Sequence, residues 1–240
     1  MGFFDFLFSG GEDSHLKKHI KRLTNLNAPQ EERLLSAQWL ADKGSPEALA
    51  GLLKRFSLVY EKQMKDIEEK EYLYKLLRGQ GEAAVEPTKT WIRDNTAFAI
   101  PLRIVEEFEG PEKTVSFLLE LLGLEMDPFK TEKKRQIIIK LGDFTDERIV
   151  SPVSACLFDY DEEVRLASIE TLHKQHSDEC HEAFVEALVN PEEESNRLKI
   201  RLAEILEQRG WDLLDKGDRL QNSPPVGWRF SPEKNQLIKV

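Results

Sequence analysis

Backbone breaks recur along this chain at a nearly constant interval, and that interval narrows the folds open to it. Glycines or turn residues fall at Gly44, Gly79 and Gly81, Gly110, Gly142, Ser177-Asp178 and Gly210. Their mean spacing is about 33 residues, within the range of helical repeat arrays. Each interval has room for two amphipathic helices and a short turn. A helix pair of that size cannot bury its apolar face alone, so neighbours must stack against it. The chain is therefore expected to be all-α, built from about six stacked pairs.

Taken in order, the first helix is predicted to start with Ser14 as N-cap and run to about residue 26. Leu16, Ile20 and Leu23 mark its apolar face, and Lys17, Lys18, Lys21 and Arg22 its basic one. The partner helix opens at Pro29, carries Leu34, Ala37, Leu40 and Ala41, and ends at Lys43-Gly44. Ser45-Pro46 starts the next helix, proline being favoured at the first helical position. A helix over 60–78 interleaves Glu and Lys as on a solvated face. Pro87 and Pro101 are expected to kink their helices, because proline removes a backbone donor. Residues 111–123 supply another first helix, 124–130 lengthen a loop, and Thr131 opens a helix holding Ile137, Ile138, Ile139 and Leu141. Helices over 146–158, 161–172, 182–189 and 193–209 complete the pairs. After Trp211, two short apolar runs at 227–230 and 236–240 read as a small hairpin. The organisation predicted is an apolar arm at 1–13, a repeat array at 14–210 and a cap or tail at 211–240.

The most regular stretch is Asp161-Glu-Glu-Val-Arg-Leu-Ala-Ser-Ile-Glu-Thr-Leu172. Asp161 is suited to cap the free amides of a first turn, and Glu162 and Glu163 to the positive end of the helix dipole. Val164, Ala167, Ser168, Thr171 and Leu172 share one face, where small residues admit a second helix closely. This stretch resembles the second helix of a HEAT repeat, in particular the short HEAT-like repeats of the phycobilin-lyase type. That pattern reads acid, two residues, Val-Arg, then small residues ending in Leu; Gly81–Trp91 is similar to the family's first helix. The resemblance implies a right-handed α-solenoid whose concave surface is lined by second helices. It also implies a structural ladder of arginines at the matching positions Arg33, Arg135 and Arg165, each bonding an acidic turn residue of the adjacent repeat, with Asp146 or Asp178 as acceptors. A phosphate or carboxylate site built from the same row is the other role open to them. The last pair departs from the pattern, since Lys199 rather than Arg197 aligns.

A net charge of −10 argues against nucleic acid as a partner, which calls for a clustered excess of Lys and Arg. No apolar run approaches the roughly 20 residues that span a bilayer, and residues 1–8 do not read as a secretory signal. A cytoplasmic protein is expected, with Cys156 and Cys180 as buried reduced thiols. His173, His176, Cys180 and His181 lie close in sequence, but their spacing matches no familiar zinc motif. Histidines favoured by a helix C-terminus are the better reading, so neither metal nor cofactor is expected. No nucleophile elbow, phosphate loop or HExxH is present, and no catalytic residue is singled out. Trp39, Trp91, Trp211 and Trp228 are expected to pack between helices.

One segment outside the repeats is unusual. Phe3, Phe4, Phe6 and Phe8 precede Ser9-Gly10-Gly11 and then the basic face of Lys17, Lys18, Lys21 and Arg22. Phenylalanine with lysine suits an apolar partner groove or, weakly, an anionic membrane surface. The same phenylalanines could instead cover the open core of the first pair. Phe6 stands where a myristoylation signal needs Ser or Thr. The function expected is a non-catalytic scaffold that binds an unidentified protein or peptide on the concave surface. The alternatives are a HEAT-like enzyme of the bilin-lyase or DNA-glycosylase type and a peripheral membrane adaptor acting through the phenylalanine arm.

Overall fold

The computed structural model describes the backbone of residues 3–125 and 131–240, and side chains from Ser14 onward within those limits. The described residues form eleven α-helices and one two-stranded antiparallel sheet. The helices are α1 (Phe3–Thr24), α2 (Gln30–Lys43), α3 (Pro46–Leu53), α4 (Gln63–Arg78), α5 (Val85–Asp94), α6 (Ala99–Leu124), α7 (Thr131–Leu141), α8 (Val150–Ala155), α9 (Glu162–Gln175), α10 (Cys180–Leu188) and α11 (Asn196–Arg209). The strands are β1 (Trp228–Ser231) and β2 (Gln236–Lys239). The protein is all-α, as the break periodicity predicts, with the small C-terminal hairpin that the two apolar runs after Trp211 predict. Among the described residues no helix is long and apolar enough to cross a membrane.

Caps account for most of the boundaries. Ser45 accepts a hydrogen bond from the Ala48 amide with Pro46 at the first helical position. Asp161 accepts from the amides of Glu163 and Val164, and Ser195 from Leu198. Gly44 and Gly210 close α2 and α11 in the left-handed conformation, which costs glycine nothing. Three expectations change. The first helix begins at Phe3 rather than at a Ser14 cap; the side chains of Phe3, Phe4, Phe6 and Phe8 lie outside the described residues, as do residues 126–130 of the loop insertion. Pro87 and Pro101 do not kink helix interiors. Each is the third residue of its helix, where first-turn amides need no intrahelical partner. The sharp break is at Gly110 (φ 78°, ψ 176°), which divides α6 just ahead of Pro111. Residues 146–158 are not one helix, because 3-10 turns at Glu147–Ile149 and Cys156–Phe158 flank the short α8.

The chain folds as two compact units, Met1–Thr114 and Val115–Val240. In the first, α1 packs on α3 and α3 on α5 to make one layer, while α2 packs on α4 to make the other. Leu23, Leu40, Leu49, Leu52, Phe56, Leu73 and Leu77 fill the space between them and are buried. The α1–α3 contact depends on Gly51, where a Cβ would lie 2.6 Å from Ile20 Cγ1. In the second unit, α8 and α10 form one layer and α7, α9 and α11 the other, with Ile137, Val153, Leu172, Phe184 and Leu202 buried between. Thr171 Oγ1 donates to the Ile138 carbonyl at 2.8 Å, fixing α9 against α7. The hairpin pairs Trp228 with Lys239 and Phe230 with Leu237. It lies against α11 through β2, held by the Leu213 amide to Asn235 O (2.8 Å) and by Gln236 Nε2 to Gly210 O (2.9 Å).

Candidate functional site

Two of the three ladder arginines make the same set of bonds. Arg33 Nη1 donates to the carbonyls of Leu26 and Ala28, while Nε and Nη2 grip Glu69 at 3.1 and 2.6 Å. Arg165 Nη1 donates to the carbonyls of Asp159 and Tyr160, while Nε and Nη2 grip Glu193 at 2.7 and 3.0 Å. Each guanidinium thus ties down the loop before its own helix and a carboxylate from the following pair. The acceptors are glutamates 36 and 28 residues downstream, not Asp146 or Asp178. The Asp146 carboxylate is taken by Arg148 at 2.6 and 2.9 Å.

Arg135 does not join the ladder. It bonds Glu132, one turn back on its own helix, at 2.7 Å. The carboxylate that matches Glu193, two residues ahead of its helix cap and bonded to the cap amide, is Asp159, and Lys134 Nζ holds it at 2.8 Å. Asp161 itself caps α9 and also accepts from Thr131 Oγ1 at 2.8 Å. Burial alone would push the Asp161 carboxyl up, but these hydrogen bonds from Thr131, Val164 and Glu163 hold it below the usual carboxylate range. The acceptor at the ladder position is thus paired with Lys134, and Arg135 turns to Glu132.

Sequence reasoning missed the partner of Arg33 on the other side of Glu69. Arg55, fully buried, donates from Nε to Glu69 Oε1 at 2.8 Å, from Nη2 to Asp66 Oδ1 at 2.7 Å and from Nη1 to the Leu58 carbonyl. Lys70 closes the network on Asp66 at 2.7 Å. Burial would raise the Asp66 carboxyl, yet Lys70 and Arg55 lower it. The only hint in the sequence is an arginine between Leu52-Leu53 and Phe56.

A groove of about 790 Å³ runs between α3 and the segment leading through α5. On the α3 side it is lined by Pro46, Glu47, Ala50 and Lys54; on the other by Ala83, Glu86, Pro87, Thr90, Trp91, Asp94 and Asn95. The floor is therefore small and apolar, with one indole. Trp91 is 9% exposed and meets Phe56 edge-on at 6.3 Å between centroids. Asn95 Nδ2 bonds the Trp91 carbonyl and its Oδ1 accepts from Ser57, which fixes that end. Surface helix positions are ordinarily polar, so two prolines and two alanines facing one another across the groove make an unusual apolar patch. Pro87 also has no N–H to return to the Ala83 carbonyl four residues back.

The second-helix surfaces, where the sequence placed the binding site, offer less. Among the described residues α7 and α9 enclose a depression of about 200 Å³ bordered by Arg135, Ile139, Glu163 and Glu170. Arg201 pairs with Glu170 at 2.6 Å and Arg197 with Glu163 at 2.8 Å. In the first unit Arg103 covers the Tyr74 ring at 3.8 Å, and Glu107 accepts from Tyr74 and Arg78. The predicted basic face of α1 is exposed at Lys17, Lys18 and Lys21, with Arg22 3.5 Å from Glu32.

The histidine and cysteine positions diverge. Cys180 Sγ points to the Leu172 carbonyl, His181 stacks on Trp211 and bonds Asp212 O, and His176 accepts from Arg209. Both thiols are free and buried; burial pushes Cys156 up and Cys180 up to about 11. A raised thiol pKa keeps the unreactive protonated form until alkaline pH. Neither cysteine is expected to react with a disulfide reagent at pH 8 in the native protein, and both should react within the unfolding transition. Fast titration of either thiol in the folded state would contradict the packing described.

No protein-family model and no curated protein matches this chain. Fold and site together define an all-α protein of stacked helix pairs with an open apolar groove on the α3–α5 face.

Proposed function

We propose that this chain is a non-catalytic, HEAT-like interaction protein that receives a helical segment of a partner protein in the α3–α5 groove. One observation carries this reading: Pro46, Ala50, Ala83 and Pro87 form a small, apolar floor on the solvent side of two packed helices. Small residues let a third helix axis approach to the roughly 8–10 Å of ordinary helix packing, and a laid-in amphipathic helix is a recurrent use of such a groove. The volume of about 790 Å³ also falls in the range of formed binding sites. The binding face differs from the second-helix surface that the repeat resemblance implies.

Filling the floor tests the reading. Ala50→Trp is solvent-side and should fold with unchanged thermal unfolding, yet weaken binding of the partner captured by the native protein by about tenfold or more. Leu35→Ala, on the opposite layer, should bind as the wild type does. Equal binding by Ala50→Trp would remove the groove from consideration.

A further inference from the structure

The rim of the α3–α5 groove states what kind of helix it takes. Four charged side chains border the apolar floor: Glu47, Glu86 and Asp94 are acidic, and Lys54 alone is basic. Asp94 and Lys54 make no ion pair among the described residues, so both are free to meet a ligand. Among the described residues Glu86 pairs with Lys89, at 3.7 Å, and Lys89 reaches closer to Glu109, at 3.1 Å. Glu47 is exposed, its carboxyl held down by its own backbone amide and by the Ser45 hydroxyl. An occupant must therefore bring donors and positive charge at its edges and small aliphatic groups at its centre.

We propose that the partner segment is cationic: an amphipathic helix with an aliphatic stripe and Lys or Arg on its flanks, pairing with Glu47, Glu86 and Asp94. This rests on the docking reading above. The pairs lie at a solvent-exposed rim, so they govern partner choice and association rate more than total affinity, and salt weakens them. An acid-rich segment meets like charge at three of the four rim positions and is rejected. The chain's net charge of −10 steers in the same direction.

The test uses the full-length protein and two synthetic helical peptides that share one Ala/Leu stripe, one flanked by lysines and one by glutamates. Binding is followed by chemical-shift changes at Ala50, Ala83, Thr90 and the Trp91 indole, with Ala50→Trp as the groove-blocked control. The lysine peptide should shift these signals with a Kd at least about tenfold below that of the glutamate peptide, a gap that narrows with salt. The preference should reverse on the Glu86→Lys/Asp94→Lys variant. Equal binding of both peptides, abolished by Ala50→Trp, would overturn the cationic preference and leave the docking reading standing. Peptide binding untouched by Ala50→Trp would overturn docking itself. Decanoate shifting these signals where neither peptide does would reassign the groove to a small apolar acid held by Lys54, and silence with every probe would overturn both proposals.

Discussion

Replacing Glu69 with alanine is expected to cost about 3–5 kcal/mol of stability, the largest single-residue loss outside the apolar core. The Glu69 side chain is 0% exposed and lies between two guanidiniums that are themselves 2% and 0% exposed. It accepts three hydrogen bonds from them, at 2.6, 2.8 and 3.1 Å. Without it Arg55 keeps Asp66, but Arg33 keeps the carbonyls of Leu26 and Ala28 and the Tyr60 ring, with no carboxylate bonded to it. A buried cation without its counter-charge is poorly compensated. Glu69→Gln should lose nearly as much, because it retains the shape and removes the charge. Replacing Arg33, Glu69 and Arg55 with apolar residues, as Arg33→Met/Glu69→Leu/Arg55→Met, should cost less than Glu69→Ala, since Asp66, the buried charge that remains, keeps Lys70 at 2.7 Å. Urea unfolding measures this as a lower midpoint at unchanged slope. A loss below about 1 kcal/mol for Glu69→Ala would show that the network carries no structural weight.

How much of this was readable in the chain depends on the range of each interaction. Features set by neighbouring residues were legible: the Ser45-Pro46 start, the Gly44 and Gly210 stops, the Asp161 cap, and the hairpin between Trp228 and Lys239. Prolines misled, because a first-turn proline and a helix-interior proline look alike until the helix start is known. Pro87 and Pro101 were of the first kind, and the break came from Gly110. Features set by distant residues were half legible. The arginine row could be read from the register of the repeats, but its acceptors could not, since 36 and 28 residues separate donor from carboxylate. Arg55 was invisible for the same reason. The groove was illegible altogether: Ala50 and Pro87 look like ordinary helix residues until α3 and α5 are laid side by side. The solvent face of a repeat carries no periodic signal, and that is where the apolar floor lies.

Arg165→Ala is the second large effect, expected at about 2–4 kcal/mol, and Arg135→Ala gives its control. Arg165 leaves behind a Glu193 side chain that is 5% exposed and two loop carbonyls without their donor. Glu193 would retain the Ser195 amide at 2.8 Å, which together with partial solvent access at Arg165 keeps the loss below that at Glu69. Arg135 and Glu132 are an exposed pair one turn apart, a geometry that contributes little once screened by water. Arg135→Ala should therefore stay within about 0.5 kcal/mol of the wild type. The repeat pattern alone gives the two arginines equal standing, whereas the bond from Lys134 to Asp159 separates them. One further substitution sharpens the contrast. Lys134→Met removes the cation held on Asp159 and frees a carboxylate oxygen at the position that matches Glu193. If Arg135 is excluded from the ladder only by that pairing, then Arg135→Ala should become more costly in the Lys134→Met background, a positive coupling measurable by a double-mutant cycle. Equal losses for Arg165→Ala and Arg135→Ala in the wild-type background would instead mean that the ladder is set by sequence register and not by the carboxylate each arginine can reach.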